Sequence, residues 1–164
     1  MADRTPSEVA TAFYQAFSRN DWQTMVGLYA DDADFSDPVF QALTVDQVRA
    51  MWKMLVTGAT DLHVVFQVKG ETGDQVFAHW TATYTFSATG RKVVNEIDAT
   101  MTVRNGRIVH HQDRFSFWRW SRQALGVSGL LLGWTPIVQN KVRGTAAKSL
   151  KQFQASDGKP ASRK

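Results

Sequence analysis

No cysteine occurs in the chain, so neither a disulfide framework nor a thiolate-held zinc site is available. No apolar run is long enough to cross a bilayer; the longest, "LGVSGLLLGW" at 125–134, is short and carries three glycines. The opening "MADRTPSEVA" has no apolar core of the kind a secretory signal needs. These absences lead us to expect a cytoplasmic protein with no membrane partner. Charges nearly balance before residue 136, which argues against a nucleic-acid partner. The histidines are scattered without helical metal spacing, so neither a metal nor any other cofactor is expected.

What is present fits one globular domain. The chain has 164 residues, 43% hydrophobic and 21% charged, enough to bury a core. Much of the +4 net charge lies in the last quarter, in residues such as Lys141, Arg143, Lys148 and Lys151. The closing "ASDGKPASRK" is polar and aperiodic, so 155–164 is expected to be a disordered basic tail.

Helical spacing dominates the first third. Thr5, Pro6 and Glu8 form a helix start with a capping box, followed by Val9, Phe13, Ala16 and Phe17. Asp21 caps a second helix carrying Trp22, Met25, Val26 and Tyr29. A third runs over 44–55 from Thr44, with Val45, Val48, Met51, Trp52 and Leu55 inward. Beyond residue 60 the period becomes two. Segments 62–68, 76–86, 92–103 and 108–120 read as the strands of an antiparallel meander, the last hairpin turning at Asn105-Gly106. A final helix is expected over roughly 136–153. The class is α+β: a strongly curled sheet wrapped by three N-terminal helices into a cone around an apolar pocket.

Two blocks, "LYADDADFSDP" and "NGRIVHHQDRFSFW", resemble the nuclear-transport-factor-2-like superfamily, within it the SnoaL-like polyketide cyclases and ketosteroid-isomerase-like proteins. The resemblance covers about residues 6–118. It implies a cystatin-like α+β barrel at 5–118 with a C-terminal helical extension at 119–154. It also implies a small apolar ligand in a central pocket and a homodimer through the convex sheet face, where Phe77, Thr81, Thr83 and Thr85 lie.

Within "YADDADFSDP", Asp31, Asp32 and Asp34 read as turn and surface residues. Asp37 stands directly before Pro38, where the resembling isomerases carry their general base. A carboxylate at an apolar pocket rim suits that role, though Asp-Pro also starts turns. His111 and Asp113 are two apart on a strand, hence on one face, with Phe115 and Phe117 following. The resembling cyclases use a His and an Asp there for proton transfer; a purely structural His–Asp bond is the alternative. Asp37, His111 and Asp113 are therefore the candidate catalytic residues, and Phe13, Tyr14, Phe40, Trp52, Trp80 and Phe115 the candidate ligand-binding ones. The isomerases' catalytic tyrosine falls on Phe13, with Tyr14 about 100° away around the helix. Their second acid falls near Asp98 or Ala99, of which Ala99 has inward parity. Steroid isomerisation is thus not expected. The leading expectation is a cofactor-free acid–base enzyme for a small apolar carbonyl compound. A non-catalytic binding or dimerisation module comes second. An epoxide hydrolase comes third, because neither Arg49 nor Arg114 is placed to complete an Asp–Arg–Asp set.

Overall fold

The computed structural model describes residues 3–158. Helix α1 (Pro6–Ser18) starts at the expected capping box: Glu8 N–H donates to Thr5 Oγ1 at 3.2 Å, and Thr5 N–H donates to Glu8 Oε2 at 2.8 Å. Its inner face buries Val9, Phe13, Tyr14 and Phe17. Helix α2 (Trp22–Gly27) is capped by Asp21, which accepts from Thr24 N–H at 3.1 Å. It ends two residues earlier than the Trp22–Met25–Val26–Tyr29 spacing predicts. The chain leaves the helix after Gly27, and Tyr29 opens strand β1 (Tyr29–Ser36). The aspartate-rich stretch is therefore a strand rather than a turn.

Strand β2 (Leu43–Thr44) pairs back on β1 and leads into α3 (Val45–Gly58), whose Gln47 side chain accepts from Thr44 N–H at 2.9 Å. Val48, Met51, Trp52 and Val56 face inward, whereas Leu55, expected inside, is 40% exposed. The meander follows as β3 (His63–Thr72), β4 (Gln75–Phe86), β5 (Arg91–Arg104) and β6 (Arg107–Arg114). The sheet has six strands in the order β2-β1-β6-β5-β4-β3, because β1 lies parallel to β6 and extends the meander. The Asn105-Gly106 turn has φ of 51° and 69°, the left-handed pair a tight hairpin requires. Register shifts after Val68 and Thr102 add local twist, which helps the sheet curl over α1.

The closing strand is shorter than its alternating pattern predicts. It ends at Arg114, because Ser116 caps helix α4 (Phe117–Ala124) by accepting from Arg119 N–H at 3.3 Å. Phe117 thus starts a helix and shares no strand face with His111. Helices α5 (Val127–Leu132) and α6 (Pro136–Asp157) complete the chain. Helix α6 continues past residue 153, and Lys53 holds its end through Asp157 at 2.6 Å. Residues 155–157 are thus helical, while 159–164, the rest of the expected basic tail, lie outside the described residues.

Two apolar clusters result. The larger fills the cone between α1, α3 and the sheet. The smaller joins Phe117, Trp120 and Ala124 of α4 to Val93, with Tyr84, Phe86, Val138 and Val142 against it. Gly129 shows how closely α5 sits on α4: a Cβ there would lie 2.0 Å from the Ser121 carbonyl oxygen. Gly129→Ala is expected to lower stability by about 2 kcal/mol or more. Gly144→Ala, on an open face of α6, is expected to raise it by ~0.5–1 kcal/mol. Thermal melts of the two variants compare these effects.

Candidate active site

The inner face of β6 carries His111 and Asp113, both buried, opposite Met101 and Ala99 of β5. Alternation sends His110 and Arg114 outward. His110 meets the outward Asp34 of β1, so that aspartate is paired on the surface. Asp31 likewise pairs with Arg49 at 3.0 Å. Ala99 is inside and Asp98 outside, bonded to His79 at 2.8 Å, so the second acid of the isomerase arrangement is absent from the cone.

His111 stands at the centre of a buried hydrogen-bond chain. Trp52 Nε1–H donates to Tyr29 Oη at 2.9 Å. Tyr29 Oη is 2.6 Å from His111 Nδ1, and His111 Nε2 is 3.0 Å from Asp113 Oδ1. Indole can only donate, so Tyr29 accepts from Trp52. A neutral ring that carries its hydrogen on Nε2 donates to the Asp113 carboxylate and accepts the Tyr29 proton at Nδ1. Both imidazole nitrogens are thus engaged within the protein. The ring also packs edge-on against Phe13 and Phe35 and stacks with Trp52.

Tyr29 is the residue that sequence reasoning missed. Its spacing from Trp22, Met25 and Val26 continues a helix, which conceals its place on a strand. Parity gives little help: Tyr29, Ala33 and Phe35 are odd-numbered and buried, but Asp31 between them is exposed and the β1–β6 register shifts there. Burial raises the Tyr29 hydroxyl well above the usual phenol range, against the lowering bond from Trp52, with the Asp113 charge adding to the rise.

Asp37 follows β1 and is half-buried. Its Oδ1 accepts from the N–H groups of Val39 and Phe40, each at 2.6 Å, and its own N–H donates to Phe40 O at 2.7 Å. Asp37 thus closes a turn, as Asp-Pro leads one to expect, and the turn's Val39 and Phe40 pack on the larger apolar cluster. Burial pushes its carboxyl up to about 7; the two N–H bonds oppose this, and the Asp113 charge adds to it. Oδ2 accepts no hydrogen bond from the described residues. Burial raises the Tyr84 hydroxyl; the bond it accepts from Trp120 Nε1–H at 2.9 Å opposes this, and the Asp37 charge adds to the rise.

Tyr14 is fully buried beside Phe13, which itself contacts Tyr29, Trp52 and His111. Tyr14 turns instead toward Phe66 and Trp80. Its Oη and Trp80 Nε1 are buried without a hydrogen-bond partner among the described residues. Burial lifts the Tyr14 hydroxyl well above its ordinary value, with the Asp113 charge next in importance. Asp113 thus acts electrostatically on Asp37, Tyr14 and Tyr29, so these groups share one neighbourhood.

Of the proposed ligand-contacting residues, Phe13, Tyr14, Trp52 and Trp80 are brought together in the cone, Phe40 holds the Asp37 turn, and Phe115 bridges the two apolar clusters. Trp118 and Trp134 lie on the extension, and Trp134 is 67% exposed. Aromatic rings fill the cone itself. Two surface grooves, of about 470 and 440 Å³, are lined by none of these residues. Among the described residues no cluster of three His, Asp or Glu could hold a metal. Arg49 pairs with Asp31 and Asp46, and Arg114 is exposed, so neither joins Asp37 or Asp113 in an epoxide-opening set.

The family model of the SnoaL-like domain matches residues 10–111. The chain belongs to the SnoaL-like domain family. Solved structures agree. IdmH of Streptomyces antibioticus, a candidate polyketide cyclase, is 26% identical, with a TM-score of 0.63 over 76% of this chain and 100% of that one. A protein with a ketosteroid-isomerase-like fold from Catenulispora acidiphila, solved with trimethylamine, is 21% identical, with a TM-score of 0.64 over 81% and 100%. An LEH-like epoxide hydrolase of M. tuberculosis is 17% identical, with a TM-score of 0.59 over 77% and 95%. No curated protein matches the chain in sequence. The fold of this SnoaL-like protein is the nuclear-transport-factor-2-like cone: a curved six-stranded sheet closed by helices.

Proposed function

We propose that this SnoaL-like protein is a cofactor-free acid–base enzyme acting on a small apolar carbonyl compound. The observation that carries this reading is Asp37, a carboxyl held near neutrality with one oxygen fixed by its turn and the other unbonded. A base poised near pH 7 is well matched to taking a proton from carbon next to a carbonyl. In this reading Oδ2 accepts that proton, and the carbonyl oxygen gains negative charge. Tyr14 Oη–H and Trp80 Nε1–H, buried donors with no protein acceptor, are available to hold that oxygen. Asp37 then returns the proton to another carbon, or the enolate attacks a second carbonyl of the same molecule and Asp37 protonates the alkoxide that forms. His111, with both nitrogens occupied, acts as a positioning residue that fixes Asp113 and Tyr29. Residues 5–118 supply this chemistry. The 119–154 extension closes the mouth, with Arg143 Nε donating to Pro38 O at 2.9 Å beside the Asp37 turn. A homodimer through the convex face, where Val65 and Val94 are 52% and 48% exposed, accompanies this reading.

The aromatic filling of the cone favours a second reading, a binding module without turnover. Turnover of a panel of cyclisable and isomerisable carbonyl compounds separates the two. In an enzyme, Asp37→Asn retains ligand binding and loses about 10²–10⁴-fold in rate. Tyr14→Phe keeps stability, because no protein hydrogen bond is lost, but slows turnover about 10–100-fold. Wild-type binding with no turnover across the panel supports the module. Variants as active as wild type contradict catalysis by Asp37 and Tyr14.

A further inference from the structure

Charge in this chain is segregated along its length. Of the 15 Asp and Glu residues, none falls between Asp113 and Asp157, a stretch that carries seven Lys and Arg. The same stretch exposes the molecule's most prominent apolar side chains. Leu130, Leu131 and Leu132 are 49%, 63% and 51% exposed, Trp134 is 67% exposed and Ile137 81%. Three consecutive exposed leucines show that this is a protruding ridge: α5 is held through Gly129, the Gly133 cap and the bond from Trp118 Nε1–H to Leu130 O at 3.1 Å. Gly129 and Gly133 are buried against Ser121, and the larger side chains point away from the protein.

Beside the ridge lies a groove of about 440 Å³, edged by Val127 and Leu130 on one side and by Arg91, Lys92 and Arg122 on the other. Lys92 is paired with Asp61. Arg91 donates to the Gln123 carbonyl oxygen and Arg122 stacks over Trp118, and neither meets a carboxylate among the described residues. Cationic and apolar groups therefore adjoin on one surface.

We propose that the α5 ridge docks the protein on an anionic lipid bilayer. Leu130, Leu131, Leu132, Trp134 and Ile137 enter the boundary between headgroups and acyl chains. Arg91 and Arg122 meet the lipid phosphates. The chemistry of the surface selects this occupant. A ridge exposed on several sides suits a medium that is apolar all round, and Trp and Leu flanked by Lys and Arg are the residues that settle at a membrane interface. A second copy presenting the same face would bring two surfaces together whose unpaired charges among the described residues, Arg91 and Arg122, are both cationic. No helix among the described residues is long and apolar enough to cross a membrane, and docking of this kind needs none. The expectation of no membrane partner rested on spanning length and did not consider a surface ridge.

Vesicle flotation of the full chain tests the proposal, with phosphatidylcholine vesicles alone or containing about 30 mol % phosphatidylglycerol. The expected result is roughly tenfold more protein bound to the anionic vesicles, released by 1 M salt-range screening (~3 Å Debye length). Leu131→Glu with Trp134→Glu is expected to abolish binding without moving the thermal melt, and Arg122→Glu to weaken it severalfold. Equal recovery with neutral and anionic vesicles, or unchanged binding by the Leu131→Glu/Trp134→Glu variant, overturns the proposal. So does a ridge variant that turns a dimer into a monomer when wild type ignores vesicles, since the ridge would then be a self-association surface.

Discussion

Tyr29→Phe is expected to cost about 2–5 kcal/mol of stability, read as a lower midpoint in denaturant with unchanged slope. The phenyl ring of the variant fills nearly the same space, so packing alone predicts a negligible change. The cost arises from the two partners left behind. Trp52 Nε1–H loses its acceptor and His111 Nδ1 loses its donor, both in a fully buried setting. Each orphaned group costs roughly 1–3 kcal/mol, because water cannot replace the missing bond. Tyr14→Phe is the control. Tyr14 is as deeply buried as Tyr29, but its hydroxyl bonds to no described residue, so removing it is expected to leave stability unchanged or slightly raised. If the two substitutions cost the same, the hydrogen-bond chain through His111 is not contributing to the fold.

Asp37→Asn is expected to stabilise the protein at pH 8 and to do little at pH 4. The sign follows from the raised carboxyl, about 7 in the folded chain against 3.8 unfolded. Below 3.8 the group is neutral in both states and imposes no penalty. As pH rises from there to about 7, the unfolded chain ionises while the folded chain keeps its proton, so stability falls. Above about 7 the penalty is complete. Asparagine remains neutral throughout and can still accept from Val39 and Phe40 N–H. The gain at pH 8 is therefore ~2–4 kcal/mol, or about 5–10 °C in melting temperature. Greater stability together with lost turnover is the pattern of a group placed for chemistry at the expense of the fold. A variant that is destabilised at pH 8 would show that the ionised carboxylate serves mainly to cap its turn.

Much of the fold was legible because periodicity reports burial. The capping box at Thr5, the alternation through β4 and β5 and the Asn105-Gly106 turn all follow from local rules, and all are present. The errors came where a local pattern continued past the point at which tertiary structure ended it. Helical spacing carried Tyr29 into α2, although the chain straightens after Gly27 to pair with β6. Alternation carried β6 to Trp120, although Ser116 caps a new helix. The parallel pairing of β1 with β6 joins segments more than seventy residues apart, and no local signal encodes it.

The candidate site was legible in its parts. Parity placed His111 and Asp113 inward and Asp98 outward, and proline marked Asp37. Its connections were not legible. That Tyr29 links Trp52 to His111, and that Tyr14 and Trp80 present unbonded donors to the cone, depends on side chains from five elements meeting. The charge segregation after Asp113 was in the sequence throughout. It acquires meaning only once the leucines of α5 are seen to point outward.

The central claim is that Asp37 is a base held near neutrality at the cone. Carboxyl ¹³C NMR of aspartate-labelled protein, with Asp37→Asn to assign the resonance, measures this directly. A titration midpoint near 7 is expected for Asp37. A midpoint near the ordinary carboxylate value of about 4 would contradict it.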